Sequence, residues 1–198
     1  MVDFCQKAFQ HFNERYELSE QTKEALAQIR EFETQHKITK KDLVDLTRAQ
    51  VYEKLFQVIP KPQIIKSDLA NGNTLLQIDC TQGPTQNHYD YVFTNLIYGY
   101  EKKGLIQPGD TILETSSGSA GIAFAWACGK LGYKSGVFTH GKLPKARIEL
   151  TRALADDIYV TEVNRRNNDR YMAECAENMS NHFKNNKDAY QDQNKTLW

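Results

Sequence analysis

Apolar residues in the first sixty positions recur at helical intervals. Phe4, Ala8, Phe12 and Tyr16 step by four and mark one side of an amphipathic helix. Ser19, followed by Thr22 and Glu24, starts a second helix whose apolar stripe is Ala25, Ile29 and Phe32. Thr39 with Asp42 three residues on resembles a capping box, and Leu43, Leu46, Val51, Leu55 and Ile59 form the buried side of a third helix. No glycine interrupts this stretch. Pro60-Lys61-Pro62 ends it, because proline drives the preceding residue out of helical geometry. The pattern predicts an all-helical extension over residues 1–60.

From Gln63 the rhythm changes to alternating strands and helices. Gln63–Lys66 and Thr74–Cys80 are short strand candidates parted by the turn signal Asn71-Gly72-Asn73. Val92, Asn95, Leu96 and Tyr100 fit a helix that Gly104 closes. After the turn Pro108-Gly109-Asp110 come a strand over Thr111–Glu114 and a helix over Ala120–Leu131. Strand Lys134–Phe138, helix Pro144–Leu154, strand Ile158–Thr161 and helix Arg170–Lys184 follow. Such alternation predicts a three-layer α/β domain over 61–184, its parallel sheet covered by helices on both faces, and a polar tail over 185–198.

Composition narrows the function classes. Among 198 residues, 25 basic side chains balance 25 acidic ones, so no electrostatic footprint for nucleic acid is present. Arg165, Arg166 and Arg170 read as a solvated loop. No apolar run is long enough to span a bilayer, and the N-terminus lacks a signal peptide's regions, so the expectation is a cytoplasmic protein without membrane contact. Cys5, Cys80, Cys128 and Cys175 form no C-x-x-C pair and read as reduced thiols. The five histidines are equally scattered, so no metal site is expected.

Two segments carry chemistry: Pro84-Thr85-Gln86-Asn87-His88-Tyr89-Asp90-Tyr91 and Leu113-Glu114-Thr115-Ser116-Ser117-Gly118-Ser119-Ala120-Gly121. With the connecting stretch Tyr100–Glu114, the helix exit Lys130-Leu131-Gly132-Tyr133-Lys134 and Arg147, they resemble the fold-type II pyridoxal-phosphate family, the cysteine synthase and tryptophan synthase β-like enzymes. The resemblance covers about residues 60–162. It implies one domain of that fold, and it places Tyr89 where the family's lysine carries the cofactor as an imine. A phenol has no amine to form a Schiff base.

The resemblance also implies that Ser116, Ser117, Gly118, Ser119 and Ala120 form the loop that holds a substrate carboxylate. A strand feeding such a turn and then a helix presents unpaired N–H groups and positive dipole potential, enough to bind carboxylate or phosphate. The family's asparagine and threonine fall on Ser119 and Ala120. Its later phosphate-binding glycine turn has no counterpart, since no glycine follows Gly141. The chain also stops near where the family's larger domain would continue.

Asn87, His88 and Tyr89 are candidate cleft residues, with Tyr89 filling the cleft. His88, Tyr89 and Asp90 are too close in sequence to converge as a proton relay. Lys66, Lys102, Lys103 and Lys142 read as solvated side chains.

The expectation is therefore a degenerate, non-catalytic protein that binds a small anion, amino acid or protein partner, with no catalytic residue and no cofactor. A homodimer or partner contact through the N-terminal helices is also expected. The alternative is a pyridoxal-phosphate enzyme of amino-acid β-replacement or elimination, completed by a second domain or another chain.

Overall fold

A computed structural model describes residues 17–59, 61–166 and 169–186. The predicted helix through Phe4–Tyr16 and most of the polar tail lie outside these residues. The described elements begin with α1 (Glu20–Gln35), α2 (Lys40–Leu43) and α3 (Arg48–Val58), followed by strands β1 (Gln63–Asp68) and β2 (Thr74–Asp79). Then come α4 (Tyr89–Lys102), β3 (Thr111–Thr115), α5 (Ser119–Leu131), β4 (Lys134–His140), α6 (Lys145–Leu154), β5 (Asp157–Thr161) and α7 (Tyr171–Asn185).

The parallel sheet has the order β3-β4-β5, with Glu114 beside Val137 and Phe138 beside Tyr159. Side chains alternate across it. Ile112 and Val137 point into the core with α5, whereas Thr115 reaches Met179 of α7 and Phe138 meets the His182 ring of α7 at 5.6 Å. Helices α4, α5 and α6 thus cover one face and α7 the other, the layered α/β arrangement expected.

Helix α5 lies at the centre, and Ala123, Phe124, Ala125, Trp126, Ala127 and Cys128 are buried on all its sides. Gly132 ends it in the left-handed conformation, φ +73°, where a side chain would be strained.

The N-terminal helices pack onto this unit through buried polar clasps. Glu149 of α6 accepts from Ser19 N, Ser19 Oγ and Thr22 Oγ1 at 3.1, 2.6 and 2.8 Å. Glu33 of α1 accepts from Trp126 Nε1 at 2.9 Å and pairs with Lys130 at 2.8 Å. Glu101 of α4 holds Arg48 through both its oxygens and accepts from Tyr52 and Tyr133, each at 2.7 Å. Burial opposes ionisation of Glu101, but these donors outweigh it and its pKa is lowered.

Two expectations change. The single third helix is broken, because Thr47 and Gln50 form a second capping box that restarts the chain as α3. Strands β1 and β2 do not join the parallel sheet. They pair with each other as an antiparallel hairpin around Gly72, φ +80°, and most of their residues are exposed.

Candidate functional site

Strand β3 delivers the chain into the turn at Ser116, and α5 leaves it at Ser119. Ser116 is buried. Its N–H donates to Phe138 O at 2.9 Å, and its Oγ accepts from Gly121 N at 2.7 Å and Gly118 N at 3.2 Å. Its polar atoms are therefore engaged in shaping the turn, which removes Ser116 from the expected ligand set. Gly118 spends its N–H in the same way. Ser117 is exposed, and Ser119 and Ala120, the first two residues of α5, have no carbonyl one helical turn earlier within the helix to accept their N–H groups.

A close approach fixes this geometry. A Cβ on Gly121 would lie 3.1 Å from Ser116 Cβ and from Val137 Cγ1, so a side chain there would push its neighbours aside by a few tenths of an ångström.

Ser119 opens onto a cavity of about 430 Å³ bounded by four segments. Helix α1 contributes Gln21, Thr22, Ala25, Gln28 and Ile29; the loop before α4 contributes Pro84, Thr85, Gln86 and Asn87; α5 contributes Ser119 and Ile122; and α6 contributes Ala146, Arg147 and Leu150. Arg147 crosses toward the turn, its Nη1 3.1 Å from where a side chain on Gly118 would begin. Gln28 accepts from Gln86 Nε2 at 3.2 Å and ties α1 to the loop. Gln86 sits at φ +57°, a left-handed position where glycine is the unstrained residue.

The candidate cleft residues divide. Asn87 lines the cavity, donates to Thr85 Oγ1 at 2.7 Å and accepts from Tyr89 N at 2.9 Å. His88 and Tyr89 do not line it. The Tyr89 ring lies 3.9 Å from that of His88 and 6.0 Å from that of Phe93, and Phe93 contacts Phe124, so Tyr89 belongs to an aromatic column leading into the core.

Asp90 turns the other way. It is fully buried, and it accepts from Thr85 N at 3.0 Å and Thr85 Oγ1 at 2.5 Å. Burial raises its pKa against those bonds. Gly83 leaves it room, since a Cβ there would meet Asp90 Oδ2 at 2.5 Å. Asp90 thus clasps the loop rather than joining a relay with His88 and Tyr89.

Sequence reasoning missed the α1 glutamines, for which the polar spacing offers no signal. The resemblance marks Arg147 only as a helix residue, and nothing in the sequence shows that it faces the turn. Nor does the strand pattern reveal the environment of Glu114. Its carboxyl is buried two residues before Ser116, and desolvation pushes its pKa up to about 7 against one bond from the Thr115 backbone.

A family model described as pyridoxal-phosphate dependent enzyme matches residues 62–195. The chain belongs to this family. Pyridoxal-phosphate family relatives include cysteine synthase A of Salmonella typhi, 26% identical over 115 residues, which are 58% of this chain and 35% of that protein. Cystathionine beta-synthase of Rattus norvegicus is 34% identical over 77 residues, 39% of this chain and 14% of that protein.

A hydrogen sulfide-producing enzyme from Fusobacterium nucleatum superposes with a TM-score of 0.56 at 25% identity, covering 67% of this chain and 42% of that one. Cysteine synthase from Entamoeba histolytica shares the fold at a TM-score of 0.57 and 22% identity, over 67% and 40% of the two chains. The chain spans about a third of the length of the cysteine synthase A relatives it matches.

Family membership overturns the expectation that no cofactor belongs here, because the family model that matches is that of pyridoxal-phosphate dependent enzymes. The described residues do not by themselves fit covalent attachment of that aldehyde. No lysine lines the cavity. Lys102, Lys103 and Lys142 lie over the rings of Tyr98, Tyr100 and Tyr171, and Lys66 is on the exposed hairpin. Among the described residues, no group of three His, Cys, Asp or Glu side chains can hold a metal, and no helix is long and apolar enough to cross a membrane.

Proposed function

We propose that this chain is a non-catalytic member of the pyridoxal-phosphate family that binds a small carboxylate or phosphate at the start of α5. The observation that carries this reading is the convergence of Arg147 with the first-turn N–H group of Ser119 on a cavity lined by no amine. Helix dipole and guanidinium both favour an anion there, and the Gln21 amide and Ser119 hydroxyl line the cavity as neutral donors. The unpaired thiols of Cys80, Cys128 and Cys175 support a reducing, cytoplasmic setting.

Calorimetric titration with inorganic phosphate and with L-serine tests the binding. Saturable heat is expected, with affinity falling about tenfold or more in Arg147→Ala, the loss of one charge-assisted contact. Equal affinity of parent and variant refutes the site. Formation of cysteine from O-acetylserine and sulfide by the purified chain refutes the non-catalytic half of the proposal and restores the enzyme reading that its relatives suggest.

A further inference from the structure

The cavity at the start of α5 is larger than a carboxylate or phosphate group fills. At about 430 Å³ it falls within the ~300–1,000 Å³ of pockets whose ligands have a sizeable body. What surrounds the remaining space therefore tells what the anion is attached to.

Each helix that lines the cavity repeats one order, a polar residue and then an aliphatic one on the same face. On α5 Ser119 is followed by Ile122, on α6 Arg147 by Leu150, and on α1 Thr22 by Ala25 and Ile29. Helices α1 and α5 also run past the cavity in the same direction. Thr22 and Ser119 line it at their beginnings, and further along Glu33 of α1 meets Trp126 and Lys130 of α5.

Three residues of helix rise about 4.5 Å, so the hydrocarbon surface begins a short alkyl chain away from the anion-binding groups. Ile29 and Ile122 are 5% and 7% exposed and Pro84 is buried, which makes them a floor. Gln21, Gln28 and Gln86 are exposed and form the rim.

Charge is one-sided. Among the described residues lining the cavity, Arg147 is the single charged one. Glu149 of the same helix does not line it. One of its oxygens accepts from Ser19 and Thr22, and the other lies 3.4 Å from Lys145 Nζ. Neutral acceptors are committed as well, Asn87 Oδ1 to Tyr89 N and Gln28 Oε1 to Gln86. An ammonium brings three N–H donors that all need partners. One carbon away from a carboxylate held by Arg147, it meets like charge on one side and hydrocarbon on the other.

We propose, building on the anion site above, that the cavity selects a monocarboxylate with a compact hydrocarbon body and no amine over the amino acid of the same skeleton.

Calorimetric titration of the full chain with acetate, 4-methylpentanoate and L-leucine tests this, because the last two share a carbon skeleton and differ by the ammonium. 4-Methylpentanoate is expected to bind about tenfold or more tighter than either, since burying a leucine-sized side chain contributes at least that factor. Ala25 is half-buried on α1, where leucine and glutamate are both good helix formers. Ala25→Leu fills the floor and is expected to erase the advantage over acetate. Ala25→Glu adds the missing carboxylate and is expected to shift the preference at least several-fold toward L-leucine.

L-leucine binding as tightly as 4-methylpentanoate, or Ala25→Glu leaving their ratio unchanged, overturns the selection against an amine. 4-Methylpentanoate binding no tighter than acetate overturns the hydrocarbon floor. In either case, saturable phosphate binding that Arg147→Ala weakens leaves the anion site standing. No heat from phosphate removes the anion site itself, and this inference falls with it.

Discussion

Replacing Glu114 with glutamine isolates the buried carboxyl behind the turn at 116–121. Its pKa rises from an ordinary 4.5 to about 7 because it lies between the sheet and α5 with one backbone donor to stabilise its charge. At about 1.4 kcal/mol per pH unit, that rise corresponds to ~3 kcal/mol.

The sign follows from proton counting. Below about pH 4.5 the group is protonated in both states and has no effect on stability. Between 4.5 and 7 the native state holds more protons than the unfolded one, so stability falls as pH rises. Above 7 the whole ~3 kcal/mol has been lost.

Glu114→Gln keeps the shape and removes the titration. Urea unfolding at half-unit steps from pH 4 to 9 measures the difference between parent and variant, which cancels every other ionisable group. The variant's advantage is expected to grow by ~3 kcal/mol across the window, or roughly 6–12 °C in melting temperature for a chain of this size. Parallel curves, with a constant difference at all pH values, refute the claim that this carboxyl is desolvated.

Glu149 behaves oppositely. Hydrogen bonds from Ser19 and Thr22 hold its carboxyl down at about 2, so its contribution to docking α1 is present above pH 4.5 and lost as pH falls toward 2. Glu149→Gln is expected to abolish that acid-dependent loosening, read by hydrogen exchange of the α1 amides. Leu55→Ala, at a fully buried site joining α3 to the core, is expected to cost about 2–5 kcal/mol in urea unfolding. A cost below 1 kcal/mol would mean that the N-terminal helices contribute little to the fold.

Most of the α/β order was legible because its signals are local. Gly132, Gly104 and Pro108-Gly109 punctuate the chain, and the observed strands and helices fall within a few residues of the predicted spans. The break at Thr47 is also written locally, as a capping box and as the five-residue step from Leu46 to Val51. What periodicity could not disclose was partnership. The strands at β1 and β2 read correctly as strands, yet nothing in their spacing said that they pair only with each other.

The site shows the same division. The turn at 116–121 was readable from its glycines, whereas its cavity depends on α1 crossing almost a hundred residues of sequence to face Ser119 and Arg147. The resemblance puts Ser116 among the ligands by its place in the turn alone. Only the three-dimensional turn shows that Gly118 and Gly121 already use its hydroxyl.

The indole of Trp126 is almost wholly shielded, and its single N–H is given to Glu33 on a helix 93 residues earlier. Substituting phenylalanine for Trp198, the other tryptophan, leaves one fluorophore at the seam between α1 and the body of the protein. Its emission colour then becomes an intrinsic gauge of whether that helix is seated, one that distinguishes undocking of the arm from collapse of the whole chain without any attached dye.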